Sequence, residues 1–84
     1  MRIGNKSTMD KKLFAERLKE QRLAKGYTQK ALAELIGVTE RNYQSYESLI
    51  ELTFPSVEAL LSISKTLILS MDYLFGTSTD PKIY

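Results

Sequence analysis

The stretch Thr28 to Glu47, TQKALAELIGVTERNYQSYE, leaves this chain few folds to choose from. Two short helical patterns flank one glycine. In Gln29 to Ile36, the apolar residues Leu32, Ala33 and Ile36 fall at i, i+1 and i+4, the spacing of one buried helix face. Gly37 follows, at a place where a helix-ending residue takes positive φ most easily without a Cβ. Val38 is apolar and can plug the turn. Thr39 is placed to cap the next helix, its hydroxyl accepting from a free backbone N–H. That helix buries Tyr43 and Tyr46 at i, i+3. It turns Glu40, Arg41, Asn42, Gln44 and Ser45 outward. The pattern is a helix, a short turn and a second helix with long polar side chains on its outer face.

What surrounds this stretch narrows the function. Eighty-four residues make one domain with a modest core. Cysteine and histidine are both absent. Their absence removes disulfides and thiolate metal sites, and with them the commonest general base and metal ligand. There is no phosphate-binding glycine loop and no carboxylate set at metal-ligand spacing. An enzyme is therefore not expected, nor is a metal or any other cofactor. No apolar run is long enough to cross a membrane, and MRIGNKST lacks the apolar stretch of a signal peptide, so the cytoplasm is the expected location. The net charge of +2 says little. Its distribution says more: residues 1–47 hold ten Lys or Arg against six Asp or Glu, and residues 48–84 hold two against four. The first half can present a basic face to an anionic surface.

Residues 1–9 read as a flexible N-terminal arm. Asp10 is placed to cap a first helix reaching about Lys25 and ended by Gly26. Phe14, Ala15 and Leu18 share one face, and Arg22 falls on it one turn later. A charge there calls for a partner, because an unpaired buried charge is costly. Pro55 and Ser56 open a fourth helix, with Ser56 as cap and Val57, Leu60, Leu61, Ser64 and Leu67 as its buried face. A short last helix runs from Met71 to Phe75, capped by Ser70 and stopped by Gly76. Residues 77–84 read as a polar C-terminal tail, leaving 10–76 as the folded domain.

From Phe14 to Phe75 the chain resembles the lambda-repressor-like, XRE-type family of bacterial and phage helix-turn-helix regulators. The residues that carry the resemblance are FAERLKEQRLAKGYTQKALAELIGVTERNYQSYE, then PSVEALLSISKTL and LSMDYLFG. Arg22, Gly26, Thr28-Gln29, Leu32-Ala33, Gly37-Val38 and Tyr46-Glu47 together are far more specific than any one of them. The resemblance implies an all-α fold, a compact bundle of about five short helices with the helix-turn-helix at 28–47. It also implies that Arg22 pairs with Glu47, which supplies the partner that the first helix demands.

Two departures stand out. The glycine that family members place shortly after this glutamate is missing, and the connection Ser48 to Pro55 is longer, with Leu49, Ile50, Leu52 and Phe54 where basic or polar residues are usual. Ile68 stands where a glycine usually ends the fourth helix. For the first departure, the simpler expectation is an extended third helix with the apolar side chains folded onto the core. The alternative is an exposed interface for a subunit or partner.

The family's mode of action assigns roles to particular residues. Thr39, Glu40, Arg41, Gln44 and Ser45 would meet base edges in the major groove, and Arg41 is the strongest candidate, since its two donors match guanine O6 and N7. Glu40 also favours its helix simply by lying in the first turn. Thr28, Gln29, Lys30 and Asn42 would contact phosphates, with Gln29 foremost at a helix N-terminus. Tyr27, Tyr43 and Tyr46 read as core, with hydroxyls able to reach the surface. The expected function is a sequence-specific DNA-binding regulator, a repressor acting as a homodimer on a palindromic operator in double-stranded DNA. The competing function is a protein-binding module of the same fold, an antitoxin or antagonist subunit, using the apolar segment 49–54 on a protein partner.

Overall fold

The computed structural model describes residues 10–69 and 71–74. Five helices make up the described fold: α1 (Lys11–Ala24), α2 (Gln29–Ile36), α3 (Glu40–Glu47), α4 (Val57–Leu67) and the single turn α5 (Met71–Leu74). The starts of α1 to α4 follow from capping. Asp10 accepts from the Lys12 and Leu13 amides, Thr28 from Ala31, Thr39 from Asn42 and Ser56 from Ala59. Each short oxygen satisfies donors that the first turn leaves free.

Three helix ends share one device. Gly26, Gly37 and Ile68 all take left-handed backbone, at φ 82°, 81° and 54°. Beyond each, an amide reaches back five residues: Tyr27 to Arg22, Val38 to Ala33, and Leu69 to Ser64. These are Schellman closures, which need a left-handed residue at the turn. Ile68 supplies that conformation although it is β-branched, and there it is strained.

The core sits where α1, α2, α3 and α4 converge. Phe14, Leu18, Leu32, Tyr43, Ile63 and Leu67 are all fully buried in it. Helix α3 packs against α1 and α2, α2 against α4, and α5 against α1. The tyrosines of α3 meet edge to face at 5.7 Å. Arg17 on α1 holds α5 by donating to the Tyr73 carbonyl and lying over its ring, 4.2 Å from the centroid.

Helix α4 turns differently from its expected face. Ala59, Leu60, Ile63 and Leu67 are buried, while Val57 and Leu61 face solvent. Ile63 lies one turn after Leu60 and one before Leu67, so the inward stripe runs 60, 63, 67. Leu61 is rotated about 100° away from it. Ser64 is half-buried, and its hydroxyl donates to the Leu69 carbonyl at 2.5 Å.

The connection after α3 also differs. Helix α3 is not extended: it stops at Glu47, and Ser48 is extended, with ψ 138°. Leu49, Ile50 and Leu52 are 60%, 91% and 79% exposed. Of the four large apolar residues, only Phe54 returns to the core, its ring 5.3 Å from that of Phe14. Residues 1–9, Ser70, Phe75 and Gly76, and the tail 77–84 lie outside the described residues, so the arm, the last cap and the tail stay as sequence expectations.

Candidate nucleic-acid interface

Helix α3 has one face locked and one face open. The locked face is an ion-pair network. Arg22 Nε donates to Glu47 Oε2 at 2.7 Å and its Nη2 to Oε1 at 3.1 Å, while Nη1 caps the Tyr27 carbonyl at 2.9 Å. Both side chains are almost wholly buried. The hydrogen bonds to Glu47 hold the guanidinium above its ordinary range. Tyr43 Oη donates to Glu47 Oε2 at 2.5 Å, and Gln29 Nε2 to Oε1 at 3.1 Å. Burial first, then that hydrogen bond to the carboxylate, pushes the Tyr43 phenol far above its ordinary range. One carboxylate thus ties together α1, α2 and α3, and so fixes the angle at which α3 is presented.

The open face carries Thr39, Glu40, Arg41 and Gln44, all exposed. Asn42 is exposed too, its amide donating to Tyr46 Oη at 3.2 Å. Ser45 is not on this face. It is buried, and its hydroxyl donates back to the Asn42 carbonyl at 2.6 Å. Five residues along from Glu40, it has rotated about 140° from it, toward the core side. The Tyr43 hydroxyl, similarly, turns inward to Glu47 rather than to the surface.

At the start of α2, Thr28 and Lys30 are exposed and Gln29 is half-buried. Its amide nitrogen carries two N–H groups. With one committed to Glu47, the side chain is oriented at the start of α2. Thr28 spends its hydroxyl on the Ala31 amide at 3.0 Å.

Two residues of this region carried no sequence signal of their role. Lys11 is buried, and its ammonium donates to the carbonyls of Ser45, Ser48 and Glu51 at 3.0, 2.7 and 2.9 Å. All three of its donors are used. It closes the carboxyl end of α3, where the missing glycine would otherwise act, and a cation suits that end of the dipole. Burial lowers its pKa, and attraction to Glu51 opposes the shift. The second is Glu51, whose carboxylate accepts from Arg41 Nη2 at 3.0 Å and Nη1 at 3.4 Å. Arg41, Asn42, Ser45, Glu51 and Thr53 rim an open hollow of about 260 Å³.

Among the described residues, no group of His, Cys, Asp or Glu could hold a metal ion. No helix there is long and apolar enough to cross a membrane.

Comparison with known proteins bears on this arrangement. Residues 18–74 match the family described as Helix-turn-helix. YonR, an SPbeta prophage-derived uncharacterized HTH-type transcriptional regulator of Bacillus subtilis (strain 168), is 39% identical over 62 residues, which cover 74% of this chain and 56% of YonR. The HTH-type transcriptional regulator ImmR of the same organism is 39% identical over 63 residues, covering 75% of this chain and 48% of ImmR. The chain therefore spans about half the length of these curated relatives. The N-terminal DNA-binding domain of SinR from Bacillus subtilis superimposes with a TM-score of 0.66 at 32% identity, covering 74% of this chain and 88% of that domain. The chain belongs to the XRE-type, lambda-repressor-like helix-turn-helix family of transcriptional regulators.

Proposed function

We propose that this chain is a sequence-specific DNA-binding repressor that acts in the cytoplasm as a homodimer on a palindromic operator. The observation that carries the reading is the division of α3: Tyr43, Tyr46 and Glu47 anchor one side, and Thr39, Glu40, Arg41 and Gln44 are exposed on the other. An outward polar face on a rigidly held helix suits the major groove. Arg41 would read guanine and Gln44 adenine. Thr39 and Glu40 lie at the end of α3 that enters first. Gln29, Thr28, Lys30 and Asn42 would contact phosphates and set the register.

The test is binding of duplex DNA flanking the protein's own gene, against random duplex, at two salt concentrations. Cognate preference with an affinity that falls steeply as salt rises supports the reading. Arg41→Ala should then cost about 1–3 kcal/mol on the preferred duplex and much less on random duplex. An equal loss on both would make Arg41 a phosphate contact.

The second reading is a protein-binding module. The exposure of Leu49, Ile50 and Leu52 favours it. Weak DNA binding without sequence preference, beside a protein contact indifferent to salt, would move the weight there.

A further inference from the structure

Arg41 is already engaged in the free protein. Glu51 takes its guanidinium end-on, through Nη1 and Nη2, and among the described residues Nε has no hydrogen-bond partner. A guanidinium has five N–H donors in one plane. End-on pairing uses one N–H from each terminal nitrogen. The side edge, Nε–H together with the second N–H of Nη2, is left free, with two parallel donors. That edge is by itself sufficient for the two acceptors of guanine, N7 and O6.

Glu51 itself is held from behind. Its amide donates to Ser48 Oγ at 3.0 Å, and its carbonyl accepts from Lys11 Nζ at 2.9 Å. Both contacts involve its backbone, so the carboxylate projects from a fixed point toward α3. A long arginine side chain otherwise samples many rotamers, and ordering it on binding opposes association.

Resting on the reading that α3 enters the major groove, we propose that Glu51 is a specificity-determining residue, which grips the end edge of Arg41 and offers its side edge to one guanine. The pair persists in the complex. On a sequence without that guanine, Arg41 stays with Glu51 and does not swing to a phosphate. The arginine's charge is then kept from nonspecific binding, and discrimination at that base pair is raised. Glu51 touches no DNA in this scheme. It acts by positioning Arg41.

The experiment uses the full chain and a pool of randomised duplexes. Wild-type protein selects its preferred duplex, and each G·C pair of that duplex is then replaced in turn. Affinities are measured for wild type, Glu51→Gln, Arg41→Ala and the double variant, with a thermal melt of each to check folding. Glu51→Gln keeps both backbone contacts and the side-chain shape. The expected result is a loss of discrimination at one G·C pair by about three- to tenfold, with the other pairs unaffected. Binding of Glu51→Gln to random duplex tightens a few-fold, and its salt slope steepens by about one, because Arg41 becomes free to meet phosphates. In the Arg41→Ala background, Glu51→Gln has no effect on that base pair. If Glu51→Gln instead tightens every duplex alike and keeps full discrimination, Glu51 is only a repelling charge and the proposal is overturned. If wild type selects no duplex, or Arg41→Ala changes discrimination nowhere, the groove reading fails first and the proposal falls with it.

Discussion

Ile68 ends α4 in a conformation that L-residues avoid, φ 54° and ψ 57°. The cost of left-handed backbone is about 1–2 kcal/mol for a residue with a Cβ. Replacing Ile68 by glycine removes the strain, but it also removes side-chain burial and loosens the unfolded chain. The clean comparison is therefore Ile68→Gly against Ile68→Ala. Ile68 is 66% exposed, and both variants discard nearly all of its side chain, so burial cancels. What remains is about 1–2 kcal/mol of strain kept by alanine, less about 0.4–1 kcal/mol of unfolded-state entropy that disfavours glycine. Glycine should be the more stable by about 0.5–1 kcal/mol. In a helix interior the order is the reverse by a similar amount. In a domain of this size the difference is about 2–8 °C in Tm. Denaturant unfolding and a thermal melt of the two variants read it directly. An alanine variant equal to or more stable than the glycine one would refute the strained Schellman closure.

Lys11→Met keeps the stem of the side chain and removes its three donors. The Ser45 carbonyl is left without its cation, and a loss of about 2–4 kcal/mol is expected in urea unfolding, since hydrogen bonds from a charged donor are worth more than neutral ones. Amide exchange should quicken most in 48–53, because that segment is tied by the same ammonium. Unfolding with no local change there would mean that the three contacts are not what holds the segment. For Tyr43, a phenol whose folded pKa is raised favours folding fully below its ordinary value of 10.0 and loses that contribution as pH rises above it. Stability should fall above about pH 10, at about 1.4 kcal/mol per pH unit from this group. Tyr43→Phe should be less stable at neutral pH by about 1–2 kcal/mol yet show a shallower alkaline decline. An unchanged slope in the variant would assign the decline to other groups.

The first three helices were legible because each carries its own punctuation. Asp10, Thr28 and Thr39 are short oxygens placed before apolar periodicity, and Gly26 and Gly37 mark the ends. Arg22 announced a partner by lying on the apolar face of α1, and the resemblance named Glu47. Helix α4 is less legible, because apolar residues occur all round it. Val57, Leu60, Leu61, Ile63 and Leu67 fit more than one stripe, and only the packing against α2 chooses 60, 63 and 67. By sequence Ser45 falls among the long polar residues of the open face, because a small hydroxyl gives no sign that it turns inward onto the Asn42 carbonyl.

The connection after α3 is not legible in the sequence for a different reason. Its conformation is set by a residue 34 positions before the carbonyl of Ser45. A lysine in the first turn of a helix reads as solvated charge, and nothing nearby in sequence marks it as a cap for another helix. Once Lys11 closes α3, the left-handed glycine is unnecessary, and Ser48 can leave in extended backbone. The same ammonium takes the Ser48 and Glu51 carbonyls, which pulls the chain along the end of α3. Two consequences follow from that route. The apolar side chains of Leu49, Ile50 and Leu52 are directed to solvent, away from a core already filled by Phe54 and Phe14. The carboxylate of Glu51 is directed at Arg41. The missing glycine, the buried lysine and the engaged arginine are therefore one structural change. Restoring a glycine after Glu47 while Lys11 remains would set two closures of α3 in competition for the same carbonyls.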